Sequence, residues 1–274
     1  MTSLEHVGPL AGSAEPAAPV RFVEDTWTVA QAELRKIVHD PSELLTRAVQ
    51  PILWLLIFGE VLASVRAIPT GSLGYMDFLA PGVLAQSALF SAIFFGIAVI
   101  WERDLGVLHK YLVSPASRTA LVTGKALAGG VRALTQAAVV YVVAALLGVH
   151  LRLGPLELVG VALVVVLGAA GFATFSLIIA CLVRTRERFM GIGQILTMPL
   201  FFASSAIYPL AIMPAWLQLL AHLNPLTYQV DALRALMVSG GSAAFPIEVD
   251  IAVLAAALVL LLAIASRLYP RLAQ

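Results

Sequence analysis

The chain has 274 residues, of which 60% are hydrophobic and only 12% charged, with a mean hydropathy of +0.94. A soluble domain carries roughly 25% charged residues, so no soluble fold hides this much apolar surface. The formal net charge of +1 gives no reason to expect a nucleic-acid partner. One cysteine, Cys181 in an apolar run, excludes an intrachain disulfide and a cysteine-based metal site and reads as a buried structural thiol.

Residues 1–20 contain no Lys or Arg and no continuous apolar core, and they carry Gly8, Pro9, Gly12, Pro16 and Pro19. This composition predicts a disordered tail rather than a secretory signal. From Arg21 to Asp40, Trp27, Ala30, Leu34, Ile37 and Val38 recur at helical spacing, with Glu33, Arg35 and Lys36 on other faces. The stretch is too polar to span, so it reads as an interfacial helix, or alternatively as an ordinary soluble amphipathic one. Pro41 ends it, and Pro51 follows near the first span, giving an elbow through residue 47 before a membrane domain over 48–274.

A spanning helix needs roughly 20 mostly apolar residues. The stretches that meet this run Ala48–Val65, Tyr75–Ile100, Leu127–Val149, Leu156–Val183, Phe189–Tyr208 and Val249–Ser266. An open chain satisfies its backbone in hydrocarbon only as helix, so the fold expected is an all-α polytopic membrane protein of six spans. Residues 209–248 are apolar but broken by Pro209, Pro214, Pro225, Gly240, Gly241 and Pro246. The pieces Pro214–Leu223 and Leu226–Val238 read as two short helices of a re-entrant segment (209–238) that dips into the membrane without crossing. A seventh span is the competing count.

Positive charge orients the chain. With the N-terminus inside, the cytoplasmic side receives Arg21, Arg35, Lys36, Arg47, Arg103, Lys110, Arg118, Lys125, Arg184, Arg186, Arg188, Arg267 and Arg271. The outside receives Arg66, Arg152 and Arg234, and Arg132 falls just inside the third span. Both termini are therefore expected in the cytoplasm. Frequent Ala, Gly and Val hint at a high-GC bacterium and its cell membrane.

The loop after the second span is the most informative. Leu105, Leu108 and Leu112 share a helical face among Glu102, Arg103, Asp104, His109 and Lys110 over Trp101–Val113. Ser114-Pro115 stops that helix, and Ser117 is placed to cap another starting near Arg118. Such a mixed-charge helix suits docking into a groove of a soluble partner; a solvated connector is the alternative.

The run Glu102-Arg103-x-x-Gly106-x-Leu108, then Leu112-Val113-Ser114-Pro115 and Lys125, resembles the corresponding loop of type-2 ABC (ATP-binding-cassette) export permeases. Asn224-Pro225-Leu226-Thr227-Tyr228-Gln229-Val230-Asp231-Ala232-Leu233-Arg234 resembles that family's downstream signature. Ile207-Tyr208-Pro209-Leu210 and Met213-Pro214-x-Trp216-Leu217 fit it too, and the match covers nearly the whole chain from the interfacial helix onward. The resemblance implies a half-transporter: two permease subunits, identical or paralogous, each served by a cytoplasmic ABC ATPase, in a lipid bilayer. Trp101–Val113 would be the coupling helix, with Glu102, Arg103, Leu105, Leu108 and Leu112 facing the ATPase. The interfacial helix, with Trp27, Leu34, Arg35 and Lys36, would be a second contact. The re-entrant motif, with Asn224, Pro225, Tyr228, Asp231 and Arg234, would close the path outside. In the daunorubicin-type drug-resistance branch the cargo is an amphipathic drug or lipid; polysaccharide exporters share the fold.

The residues agree with this division of labour. A phosphate-binding loop needs G-x-x-x-x-G-K-[ST], but Gly124-Lys125-Ala126 lacks the upstream glycine and the hydroxyl. No cofactor is therefore expected on this chain, and ATP and magnesium belong to the partner ATPase. His6, His39, His109, His150 and His222 are scattered, and no G-x-S-x-G is present, so neither a zinc site nor an enzyme is indicated.

Within the spans, Glu60 stands out as a costly charge. It can line a path, pair with a group such as Arg132, or sit at the outer headgroups. Phe90, Phe94, Phe95, Met198, Phe201 and Phe202 can offer an adaptable surface to an amphipathic substrate or simply face lipid. Asp231 and Arg234 are three apart and can form a local, structural ion pair. The rival reading is an ion-coupled secondary transporter with Glu60 as proton carrier, against which stand the lack of a repeat and of further intramembrane carboxylates.

Overall fold

The computed structural model describes residues 18–39, 49–65, 68–71, 73–106, 117–183, 185–241 and 243–270. The elbow, most of the expected tail, and Leu108, Leu112 and Ser114-Pro115 of the cytoplasmic loop lie outside the described residues.

Among the described residues the elements are helices, joined by turns and one isolated bridge, Leu151 to Val238. Helix α1 is Ala18–His39, so Ala18–Val20 of the expected tail are helical. Helix α2 is Val49–Val65, with Pro51 in its first turn and a π-helical stretch over Trp54–Gly59. Then come α3 (Tyr75–Asp104), α4 (Arg118–Leu146), α5 (Pro155–Leu182), α6 (Arg186–Phe202), α7 (Ala215–Leu223), α8 (Pro225–Met237) and α9 (Ile247–Leu268). Among the described residues α3, α4, α5 and α9 are long and apolar enough to cross a membrane, while α2 is apolar but shorter. The 17 residues of α6 end at Phe202, not Tyr208, because Ala203–Tyr208 turn beneath the short helices.

Two sequence expectations need correction. The helix expected from near Arg118 and the third span expected from Leu127 are one element, Arg118–Leu146, with Lys125 inside it. Ser117 caps that helix as anticipated, accepting from the Ala120 amide at 3.1 Å. The separate helix expected over Trp101–Val113 is not one element: Trp101–Asp104 are the last turn of α3, and the chain turns at Leu105–Gly106. Gly106 has φ +71°, the left-handed conformation that ends helices and that a Cβ disfavours.

Helix α3 is the centre of the bundle, packed by α4, α5, α6, α8 and α2. Helix α5 is apolar all round, as befits a helix surrounded by α3, α4, α8 and α9. The bundle has two distinct ends. At one, Lys125 of α4 meets the end of α3 and the side of α1. At the other, Asp77 of α3 accepts from the backbone and ring of His150 at 2.9 and 3.1 Å. There Arg152 donates to the Met237 carbonyl and Ser239 to that of His150, both at 2.8 Å, so the α4–α5 connection is pinned to the end of α8.

Helix α1 lies against α4 because position 124 has no side chain. A Cβ on Gly124 would come within 2.7 Å of both the Thr26 carbonyl oxygen and the Val29 Cβ. Gly124→Val therefore forces α1 off α4 and is expected to lower stability by about 1–3 kcal/mol, read as an earlier thermal transition and faster proteolysis near α1 in detergent. An unchanged melting curve would show that α1 does not depend on this approach.

Candidate functional site

The Lys125 end carries a buried ion triad. Lys125 is 1% exposed, and its ammonium donates to Glu33 Oε1 at 2.7 Å and to Glu102 Oε2 at 2.6 Å. Three helices contribute one group each: α1, α3 and α4. Ammonium is suited to this because its three protons point to different neighbours, and the Phe95 ring lies 6.0 Å from it. Tyr269, just beyond α9, is wholly buried.

This overturns the expected face of α1. Glu33 is buried beside Val29 and Ala30, while Trp27 is 54% exposed. Helical spacing assigns Glu33 to the polar side; the lysine of another helix makes its burial tolerable. Of the other anticipated contact residues, Leu34 is half-buried and Arg35 exposed. The Lys36 side chain lies outside the described residues.

Beside the triad a surface network joins the end of α3 to the start of α6. Asp104 accepts from Arg103 at 3.0 Å and from both Nε and Nη2 of Arg186 at 3.0 and 2.8 Å. The Arg186 guanidinium stacks 3.6 Å over Trp101, and Arg103 reaches the Val183 carbonyl at 3.3 Å. Leu105, immediately after, is 71% exposed. Glu102 and Arg103 are thus bound into the protein, whereas Leu105 is presented outward.

At the His150 end the residues of the Asn-Pro motif act mostly on backbone. Asn224 caps α8 by accepting from the Leu226 amide at 3.0 Å and donates to Leu200 and Ala203 carbonyls at 2.6 and 2.9 Å, tying α8 to the end of α6. Pro225 starts α8, where a missing N–H costs nothing. The Tyr228 hydroxyl donates to the His222 carbonyl at 2.8 Å. Asp231 accepts from the Ala244 and Phe245 amides, both at 2.9 Å, and Arg234 donates to the Ser205 carbonyl at 2.7 Å. Their mutual separation is 4.0 Å, so each serves another segment more closely than the other.

The aromatic set expected to form one surface divides. Phe95 and Phe201 are 2% and 1% exposed, with Phe201 edge-on to Trp54, while Phe94, Met198 and Phe202 face outward. Glu60 is exposed on α2, with no hydrogen-bond partner among the described residues, so it does not pair with Arg132.

Sequence reasoning put Glu33 on the polar face of its helix and read Lys125 as a cytoplasmic charge and part of the family pattern, not as the centre of a buried triad. The available signal was Lys125 itself, a cation amid Leu121, Val122 and Ala126–Ala128, which a buried helix carries only with partners.

Comparison with known proteins bears on both ends. The family model described as ABC-2 type transporter matches residues 24–238, which includes the triad, the α3–α4 loop and the Asn-Pro motif. The chain belongs to the ABC-2 type transporter family. Its relatives include ycf38 of Cyanophora paradoxa, assigned as a transport permease, 29% identical over 78% of this chain and 74% of that protein. The daunorubicin resistance ABC transporter permease protein DrrB1 of Streptomyces coeruleorubidus is 25% identical over 81% of this chain and 78% of its own length. The inner membrane transport permease YadH of Escherichia coli is 24% identical over 76% and 82% respectively. This ABC-2 chain is a multi-pass transporter permease.

Removing the lysine strands two carboxylates in the interior. Lys125→Met is expected to destabilise the permease by about 3–5 kcal/mol, while Glu33→Gln/Lys125→Met/Glu102→Gln recovers much of the loss. Thermal unfolding of the single and triple variants in detergent measures this; a triple variant no better than Lys125→Met would mean the triad is not the unit.

Proposed function

We propose that this chain is the membrane subunit of an ATP-driven exporter that moves an amphipathic drug, lipid or related compound from the cytoplasm or inner leaflet outward, powered by a separate ABC ATPase. In this reading α2 and α6 complete six crossings with both termini in the cytoplasm of a bacterium, and α7 and α8 re-enter from the outside. The observation that carries it is the triad next to Leu105. Because Lys125 binds Glu102 and Glu33, a push on the segment after α3 reaches α1, α3 and α4 together instead of bending a free loop.

A second permease subunit, identical or paralogous, completes the path. Helices α2 and α6 support this, for Glu60 and Gln194 are exposed on otherwise apolar faces that include Ile57, Val61 and Ile195. A carboxylate and an amide turned to hydrocarbon are costly, and a facing subunit or an aqueous path relieves that cost. Phe94, Met198 and Phe202 on the outward faces give such a path adaptable walls. ATP-driven closure of the ATPase pair exchanges access by stabilising one arrangement of the helices over the other.

The reading predicts co-purification with an ABC ATPase and vanadate-sensitive ATP hydrolysis by the complex. Leu105→Asp and Leu108→Asp together are expected to cut that hydrolysis at least about tenfold, the equivalent of 1.4 kcal/mol of lost coupling, with the permease still folded. Full activity in the double variant would remove Leu105 and Leu108 from the contact.

A further inference from the structure

At the His150 end the segment after α2, the start of α3, the turn after α6 and the α8–α9 connection enclose an open cavity of about 260 Å³. Leu73, Phe78, Pro209 and Leu210 make an apolar wall, and Ser205, Asp231 and Arg234 line the same space. Two of these polar residues have donors without acceptors.

Arg234 is 5% exposed. Its Nη2 is committed to the Ser205 carbonyl, and its plane is held 3.8 Å over the Phe78 ring. Its Nη1 is 4.0 Å from Asp231, beyond hydrogen-bond reach, and its Nε has no partner. Ser205 is 2% exposed; its carbonyl serves Arg234 while its own hydroxyl has no partner. Buried donors are almost always satisfied, so two in one cavity ask for an acceptor. Asp231 does not supply it, because its two oxygens are turned to the Ala244 and Phe245 amides.

We propose that this cavity is an oxyanion site that takes a phosphate group, either the headgroup of a membrane phospholipid or free phosphate. A guanidinium edge and a neighbouring hydroxyl give two donors to phosphate oxygens, and the stacked ring fixes the plane of the guanidinium before the ligand arrives. The volume lies under the roughly 300–1,000 Å³ of pockets for drug-sized molecules. It therefore suits a phosphate with its immediate ester groups, with acyl chains left outside. The proposal does not rest on the exporter reading.

The test is thermal unfolding of the full-length permease in detergent, with two arms. Inorganic phosphate is titrated against chloride at equal ionic strength, and dihexanoyl phosphatidylglycerol against dihexanoylglycerol. A saturable stabilisation in the phosphate arm identifies the free ion, one in the lipid arm alone identifies the headgroup, and either supports the site. Ser205→Ala is expected to weaken that binding about fivefold and Arg234→Lys at least about tenfold. No stabilisation beyond the controls in both arms overturns the proposal. So does unchanged affinity in Ser205→Ala, which also decides the matter if Arg234→Lys fails to fold.

Discussion

The fold at one end depends on a buried lysine held by two carboxylates. Taking an ammonium from water into a helix bundle costs several kcal/mol per ion unless charge and hydrogen bonds replace the hydration shell. Lys125 meets that demand with Glu33 at 2.7 Å and Glu102 at 2.6 Å, on separate helices. Helix α1, too polar to enter the bundle on its own account, is thereby held against α4, with Gly124 allowing the backbones to approach. The same bonds fix the last turn of α3, beyond which Leu105 is exposed.

The opposite end is built on another principle. Asp77, Asn224 and Asp231 each satisfy backbone amides of another segment or of a helix start, and Arg234 satisfies a carbonyl. Prolines at 209, 214, 225 and 246 break the helices there and leave groups that need such partners. Side chain to backbone bonds of this kind hold irregular chain by satisfying its polar groups. Gln229 fits in the same region only because Gly168 of α5 leaves it space.

Membership in the ABC-2 family gives these ends a common setting. Charged ties join the ends of α3 and α4, and α5 is closely surrounded between them. Helices α2 and α6 are largely exposed, and they carry exposed polar groups, Glu60 and Gln194, on otherwise apolar faces.

Much of this was legible in the residues alone. Apolar length announced α3, α4, α5 and α9, Ser117 announced its cap, and the prolines announced α7 and α8, because each is a local consequence of backbone hydrogen bonding and side-chain transfer. The Asn-Pro and Glu-Arg stretches carried the family for the same reason: they are contiguous. The break at Gly106 was missed because leucine spacing continues past it, although the backbone there takes positive φ. What the tertiary structure decided was which charges go inside. Glu33 and Lys125 are 92 residues apart in sequence, and neither α1 nor α4 alone can say that its charge has a partner. Likewise Phe95 and Phe94 are chemically the same, but one packs under Lys125 and Arg132 while the other faces outward. Sequence fixes the local cost of each residue, and only the packing of distant helices determines how that cost is met.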